Sequence, residues 1–156
     1  MKIHIINIAN KMPSWINEGC DEYLKRINHG KYSAQFIEIK SDKNNKKTSL
    51  ENMISEAKKI EAAIPRDSFI IALDERGKNY DSIKFANLLE QTSLAHPSIC
   101  FIIGGADGIH PDLRSKAHLS ISLSSMVFPH ALVRVIILEQ LYRAISILEN
   151  HPYHRE

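Results

Sequence analysis

The chain has 156 residues, 44% of them hydrophobic and 24% charged, with a formal net charge of +2. That length suits one domain with a substantial core, and so small a charge excludes the surface-wide basic field that advertises nucleic-acid binding. No apolar run approaches the ~20 residues that span a bilayer, and the broken apolar start MKIHIINIAN is no secretory signal, so a cytoplasmic protein is expected.

In chain order, KIHIINI (2–8) alternates well enough for a first strand. Pro13 and Ser14 open a helix whose Trp15, Cys20, Tyr23, Leu24 and Ile27 recur at helical spacing. AQFIEIK (34–40) reads as a second strand, followed by the lysine-rich KSDKNNKK (40–47), a solvated loop or a phosphate-touching one. Ser49 to Ala63 is helical, with Leu50, Met53, Ile54, Ala57 and Ile60 as one stripe, and Pro65 ends it. SFIIALD (68–74) and SICFIIGG (98–105) are continuous apolar runs, as in strands buried on both faces. A helix from about Asp81 to Leu94 separates them, and strand–helix–strand order means parallel pairing through crossovers. A short helix begins near Pro111, a residue suited to a first helical position. HLSISLS (118–124) alternates strictly, Leu119, Ile121 and Leu123 one way and the serines the other. The last helix runs from about His130 to Glu149, which makes one α/β domain without repeats or linkers. Cys20 and Cys100 are expected as buried thiols rather than a disulfide.

In open parallel sheets, ligands bind beyond the carboxyl ends of the strands. Three such ends are unusual. In ALDERGKNY an apolar strand runs into Asp74, Glu75, Arg76 and Gly77; IIGGADG holds Gly104, Gly105 and Gly108; SLSSMVFPH carries Met126, Val127 and Phe128 before Pro129. A Gly-Gly pair marks a sharp turn or a close approach to a ligand. It belongs to no Gly-x-Gly-x-x-Gly fingerprint, since Ile103 stands where the first glycine should be, and no P-loop motif occurs. The apolar 126–128 loop is either tucked into the core or lines a pocket suited to a ring reached by main-chain groups.

The last helix is apolar nearly all round, so it is buried on more than one side, and a two-sided apolar helix also suits a homodimer. Arg134 is its misfit: it shares a face with Leu138, Leu141 and Ile145. Either it snorkels past the helix end, or it faces a site or a subunit interface. The chain closes on NHPYHRE, with His151, Tyr153, His154 and Arg155 behind a stiffening Pro152. His110, His118, His130, His151 and His154 crowd the last third, but without a ligand spacing that zinc uses, so no metal is expected.

FIIGGADG, SLSSMVFPHALVRVIILEQLYRA and NHPYHRE, with NKMPSWINEGCDEYLKRI near the start, together resemble the RlmH family over essentially the whole chain. These are SPOUT-class methyltransferases acting on N3 of a pseudouridine in 23S ribosomal RNA of the large subunit. The resemblance implies a single α/β-knot domain over 1–156, its mostly parallel sheet flanked by helices, with a C-terminal trefoil knot within roughly 70–156. Periodicity would never have suggested a knot. It further implies a homodimer without a separate RNA-binding domain, a ribosomal substrate, no membrane association, and S-adenosylmethionine as methyl donor. The cofactor contacts it implies fall at Leu73, Gly104, Leu123, Ser124, Ser125, Met126, Val127 and Phe128.

Methylating an imide nitrogen requires a proton acceptor, or donors that stabilise charge on the neighbouring carbonyl oxygens. The tail holds such groups: His154 as acceptor, Arg155 as donor or phosphate grip, Tyr153 to stack on or bond the base. Tyr153, His154 and Arg155 are therefore the catalytic candidates, with the tail folded over the cofactor pocket of its own subunit or its partner's. Two other readings are a non-catalytic ribosome-binding or assembly protein and a flavodoxin-like nucleotide-binding module.

Overall fold

The computed structural model describes residues 1–9, 11–41 and 47–155. Five strands alternate with five helices: β1 (Lys2–Ala9), α1 (Ser14–Ile27), β2 (Ser33–Lys40), α2 (Ser49–Ala63), β3 (Phe69–Asn79), α3 (Ser82–Ala95), β4 (Ser98–Ile103), α4 (Pro111–Lys116), β5 (Leu119–Ser122) and α5 (His130–Leu148). The strand order is β2-β1-β4-β3-β5, and every pairing is parallel. All six residues of central β4 are buried, as its unbroken apolar run requires. Helix starts follow local chemistry: Thr48 and Glu51 form a capping box on α2, and Asp81 accepts the Lys84 N–H at α3.

The pleat divides the core. Ile3 and Ile5 point to one face, where Ile16 and Cys20 of α1, Phe85 and Leu89 of α3, and Ile137, Leu138 and Leu141 of α5 cover them. Ile6, Ile8, Cys100 and Ile102 point to the other, beneath Ile60 of α2 and Leu113 of α4. Each large side chain so buried contributes about 1.5–3 kcal/mol. Both cysteines are free and buried, and burial pushes the Cys100 thiol up to about 12. No described helix is long and apolar enough to cross a membrane.

Several expectations change. Trp15 is 59% exposed. The stripe of α1 is set by Ile16, Cys20 and Ile27, and Trp15 falls one residue, about 100°, off it. In α2, Leu50 and Ile54 are exposed, whereas Asn52, Glu56 and Ile60 face inward. Ile60 and Ala57 keep their expected contact with the sheet, but the helix's first turns lie where polar groups face in. Ser122 of β5 is buried and donates to the Ser124 carbonyl at 2.8 Å. Arg134 does not snorkel: it is 4% exposed and bonds Glu38 on β2 at 2.8 Å. Residues 42–46 of the lysine-rich stretch lie outside the described residues.

β3 also outruns its apolar segment. Leu73 and Lys78 both register with Ile121 on β5, so 74–77 loop out between two stretches of pairing. Gly77 permits this, since a Cβ there would lie 2.6 Å from the Ile121 carbonyl carbon. The detour puts charged residues at the carboxyl edge of the sheet.

Candidate functional site

Three segments converge at that edge: the 73–76 detour of β3, the 103–109 turn after β4, and the 121–130 segment from β5 into α5. They enclose a cavity of about 580 Å³, within the range of small-molecule sites. Leu73, Gly104, Leu123, Ser124, Met126, Val127 and Phe128 line it, so all but Ser125 of the residues expected to hold a cofactor come together. Lining residues that sequence reasoning missed include Ile109, Ile121, His130 and Val133. His130 and Val133 belong to the first turn of α5, and Pro129 marking that helix start was the available signal.

Backbone closeness shapes the cavity. A Cβ at Gly104 would sit 2.7 Å from the Gly108 carbonyl carbon and 2.8 Å from Ile109 Cγ1, so only glycine fits. The turn is closed by the Gly108 N–H donating to the Gly105 carbonyl at 3.0 Å. In the third segment the Met126 N–H donates to Ser124 Oγ at 2.9 Å. That bend turns Met126 and Val127 outward on the cavity's lip, 76% and 77% exposed. Large apolar side chains so displayed mark a surface that a ligand or partner covers.

The charged wall centres on Asp74. Its Oδ1 accepts the Arg76 backbone N–H at 2.9 Å and Nε at 3.0 Å, and its Oδ2 accepts Arg76 Nη2 at 3.2 Å. Arg114 Nη1 of α4 stands 3.5 Å from the same Oδ2. The Arg76 hydrogen bonds, chiefly, hold the Asp74 carboxyl below the usual carboxylate range. The site thus combines an apolar slot, exposed main-chain groups and a fixed charged wall. It suits a ligand with a flat apolar part and a polar end.

The tail is ordered at another place. Asn150 adopts φ 56°, and the His151 N–H donates to the Ser146 carbonyl at 2.8 Å, which turns the chain back along α5. The Tyr153 ring packs edge-on against Tyr142 at 4.6 Å, with the Arg143 guanidinium 4.9 Å from its centroid. Its hydroxyl donates to Glu139 Oε1 at 3.1 Å and lies 3.5 Å from Tyr23 Oη. Burial, then these bonds, push the phenol's pKa up. Arg143 also bonds Glu139 and reaches His154 Nδ1 at 3.2 Å. Arg155 is exposed. None of Tyr153, His154 and Arg155 lines this cavity.

The histidines are dispersed. His110 Nδ1 accepts the Asp112 N–H that opens α4, and His118 Nδ1 accepts the Ile70 N–H. Among the described residues no group of three or more His, Cys, Asp or Glu side chains is placed to hold a metal ion.

Comparison with known proteins agrees with this architecture. The family model described as "Predicted SPOUT methyltransferase" matches residues 1–154. The chain is 47% identical over 156 residues to the ribosomal RNA large subunit methyltransferase H of Paraburkholderia phymatum, covering 99% of both chains. It is 44% identical to the protein of the same name from Paraburkholderia xenovorans, again over 99% of each. Among solved structures, a probable methylase family protein from Haemophilus influenzae Rd KW20 superposes with a TM-score of 0.58 at 12% identity, over 99% of this chain and 70% of that one. With a full-length family match and close relatives over their whole lengths, the chain belongs to the SPOUT methyltransferase family.

Proposed function

We propose that the protein methylates ribosomal RNA of the large subunit, transferring a methyl group from S-adenosylmethionine to N3 of a pseudouridine. The RNA class follows the name its close relatives carry. The base and atom follow from the RlmH resemblance. The observation that carries the reading is the convergence of Leu73, Gly104 and the 123–128 segment on one cavity, with a glycine where no side chain fits.

The residues present fit the methyl donor. Leu73, Ile103, Ile121 and Phe128 offer apolar contacts for an adenine ring, the 104–109 and 123–126 segments offer main-chain groups, and the charged wall suits the polar end. Bound there, the donor supplies an electrophilic methyl carbon. The chain's own work is then to hold the two reactants in line and stabilise charge on the base.

The functional unit in this reading is a homodimer. Leu132, Val135 and Ile136 of α5 are only half-buried and Trp15 is exposed, leaving apolar surface for a second copy. α5 begins at the cavity and is about 28 Å long, while the tail is anchored at Glu139 and Arg143. A two-fold partner would bring its tail to this cavity, uniting Tyr153, His154 and Arg155 with the cofactor residues. Residues 1–156 act as one SPOUT domain, with the cofactor loops inside a C-terminal trefoil knot, and the enzyme works in the cytoplasm, where its ribosomal substrate is.

The test is radiolabelled methyl transfer from S-adenosylmethionine to ribosomes from a strain lacking the gene, with mapping of the labelled base. Label at N3 of one large-subunit pseudouridine is the expected result. Label at another base corrects the target, and no label refutes the activity.

A further inference from the structure

We infer that His154 and Arg155 act as hydrogen-bond donors and not as proton acceptors: Arg143 fixes His154 as its Nε2–H tautomer, which donates to a carbonyl oxygen of the substrate base. The inference rests on the function proposed above and assigns the tail's chemistry within it.

A guanidinium has only N–H groups to offer, so the contact between Arg143 Nη1 and His154 Nδ1 has one sense. Arg143 donates and Nδ1 accepts. The Nδ1 lone pair is thereby used, and the ring proton sits on Nε2. Nε2 is buried and has no hydrogen-bond partner among the described residues. A buried N–H without an acceptor is a donor whose partner is elsewhere.

Arg143 is itself held. Its Nε and Nη2 engage Glu139 Oε1, which also accepts the Tyr153 hydroxyl. Arg143 and Glu139 are thus positioning residues, and their bonds use up the His154 Nδ1 lone pair and the Tyr153 phenolic proton. Among the described residues, other charged and titratable groups near this knot of contacts include Tyr23, Glu22 and Arg26 of α1 and Tyr142 of α5. Arg26 is bonded to Glu22 and lies near the Tyr23 and Tyr142 rings. Arg155 can only donate.

The reaction balances without a tail base. The N3 proton leaves to water, and charge builds on the flanking carbonyl oxygens, where His154 Nε2–H and Arg155 bond it. The N3 electron pair then forms the bond to the methyl carbon. The carbon–sulfur bond breaks, and its electrons stay on sulfur as a neutral thioether.

Nitrogen-15 NMR of the full-length, uniformly labelled protein reads the tautomer directly, with the His154 signals assigned through His154→Gln. Protonated Nε2 and unprotonated Nδ1 at neutral pH are expected, collapsing toward a tautomer mixture in Arg143→Gln. An unprotonated Nε2 in the wild type overturns the inference whether or not methylation is ever detected.

Kinetics give the second reading on ribosomes. His154→Gln, which keeps an amide N–H near the Nε2 position, should remain within about tenfold of wild type, whereas His154→Ala should lose about 10²–10³ in kcat, as for a lost oxyanion donor. The wild-type rate should rise with pH with no break that His154→Gln removes. Equal losses in the Gln and Ala variants, with matching thermal midpoints, would make His154 the proton acceptor. Protein that shows the expected tautomer yet labels no RNA contradicts the proposed activity instead.

Discussion

Arg134 Nη2 lies 2.8 Å from Glu38 Oε1, tying the first turns of α5 to edge strand β2, with the guanidinium 4.6 Å over the Phe36 ring. Arg134 is buried while the Glu38 side chain is half-exposed, so removing either partner has different consequences. Glu38→Gln leaves a buried cation without its counter-charge and should cost about 1–3 kcal/mol in urea unfolding. Arg134→Met, which keeps the volume and removes the charge, should cost less. Equal losses would show that packing over Phe36, and not the ion pair, does the holding.

Gly104 and Gly19 make a matched pair of substitutions. Alanine at 104 would drive a methyl group to 2.7 Å from the Gly108 backbone, so the 104–108 turn must open. Cofactor affinity should fall at least about tenfold, or 1.4 kcal/mol. Gly19 lies inside α1 with only Val135 methyls near, at 3.5 Å. Gly19→Ala should raise stability by about 0.5–1 kcal/mol through helix propensity. Thermal melts and cofactor titration of both variants check the contrast.

Stability should fall at both pH extremes for identifiable reasons. The folded Asp74 carboxyl is held low by Arg76, so its contribution is present above the ordinary carboxylate value, about 3.9, and is lost as pH falls through the lowered folded value. The Cys100 thiol is pushed up to about 12 by burial. Its contribution is complete below the unfolded thiol value, about 8.5, and is lost as pH rises from there toward the folded one. Asp74→Asn should flatten the acid limb of a midpoint-against-pH curve, and Cys100→Ala the alkaline limb. Neither buried thiol should react with a thiol reagent until the protein unfolds.

Deleting Tyr153–Glu156 removes the groups stacked on Tyr142 and Arg143 and leaves every cavity residue in place. Methyl transfer should fall below detection while cofactor binding and subunit association stay near wild type. Undiminished transfer would take the tail out of the active site.

Much of this was legible from periodicity, because burial dominates where apolar residues repeat at 3.6 or run unbroken. β4 is buried throughout, and α5 buries Ile137, Leu138, Leu141, Ala144 and Ile145, as their apolar runs require. The pattern failed where local packing overrode composition. Trp15 reads as core by type but sits one residue off the stripe, and α2 turns Asn52 and Glu56 inward while exposing Leu50 and Ile54. Arg134 was visible as a misfit, but its partner Glu38 is 96 residues away and outside any local pattern. The cavity was legible as three odd strand ends. That β3 continues past its charged detour, pairing with Ile121 twice, depends on a close approach at Gly77 that no periodicity encodes. The tail's order rests on Glu139 and Arg143, an i, i+4 pair whose links to Tyr153 and His154 no helical spacing encodes.

Isothermal titration of the purified protein with S-adenosylmethionine, and with its demethylated product, most directly tests whether these three segments form a methyl-donor site. Saturable uptake of both compounds, lost in Gly104→Ala and retained in the tail deletion, is the predicted result. A folded wild-type protein that takes up neither compound would contradict it.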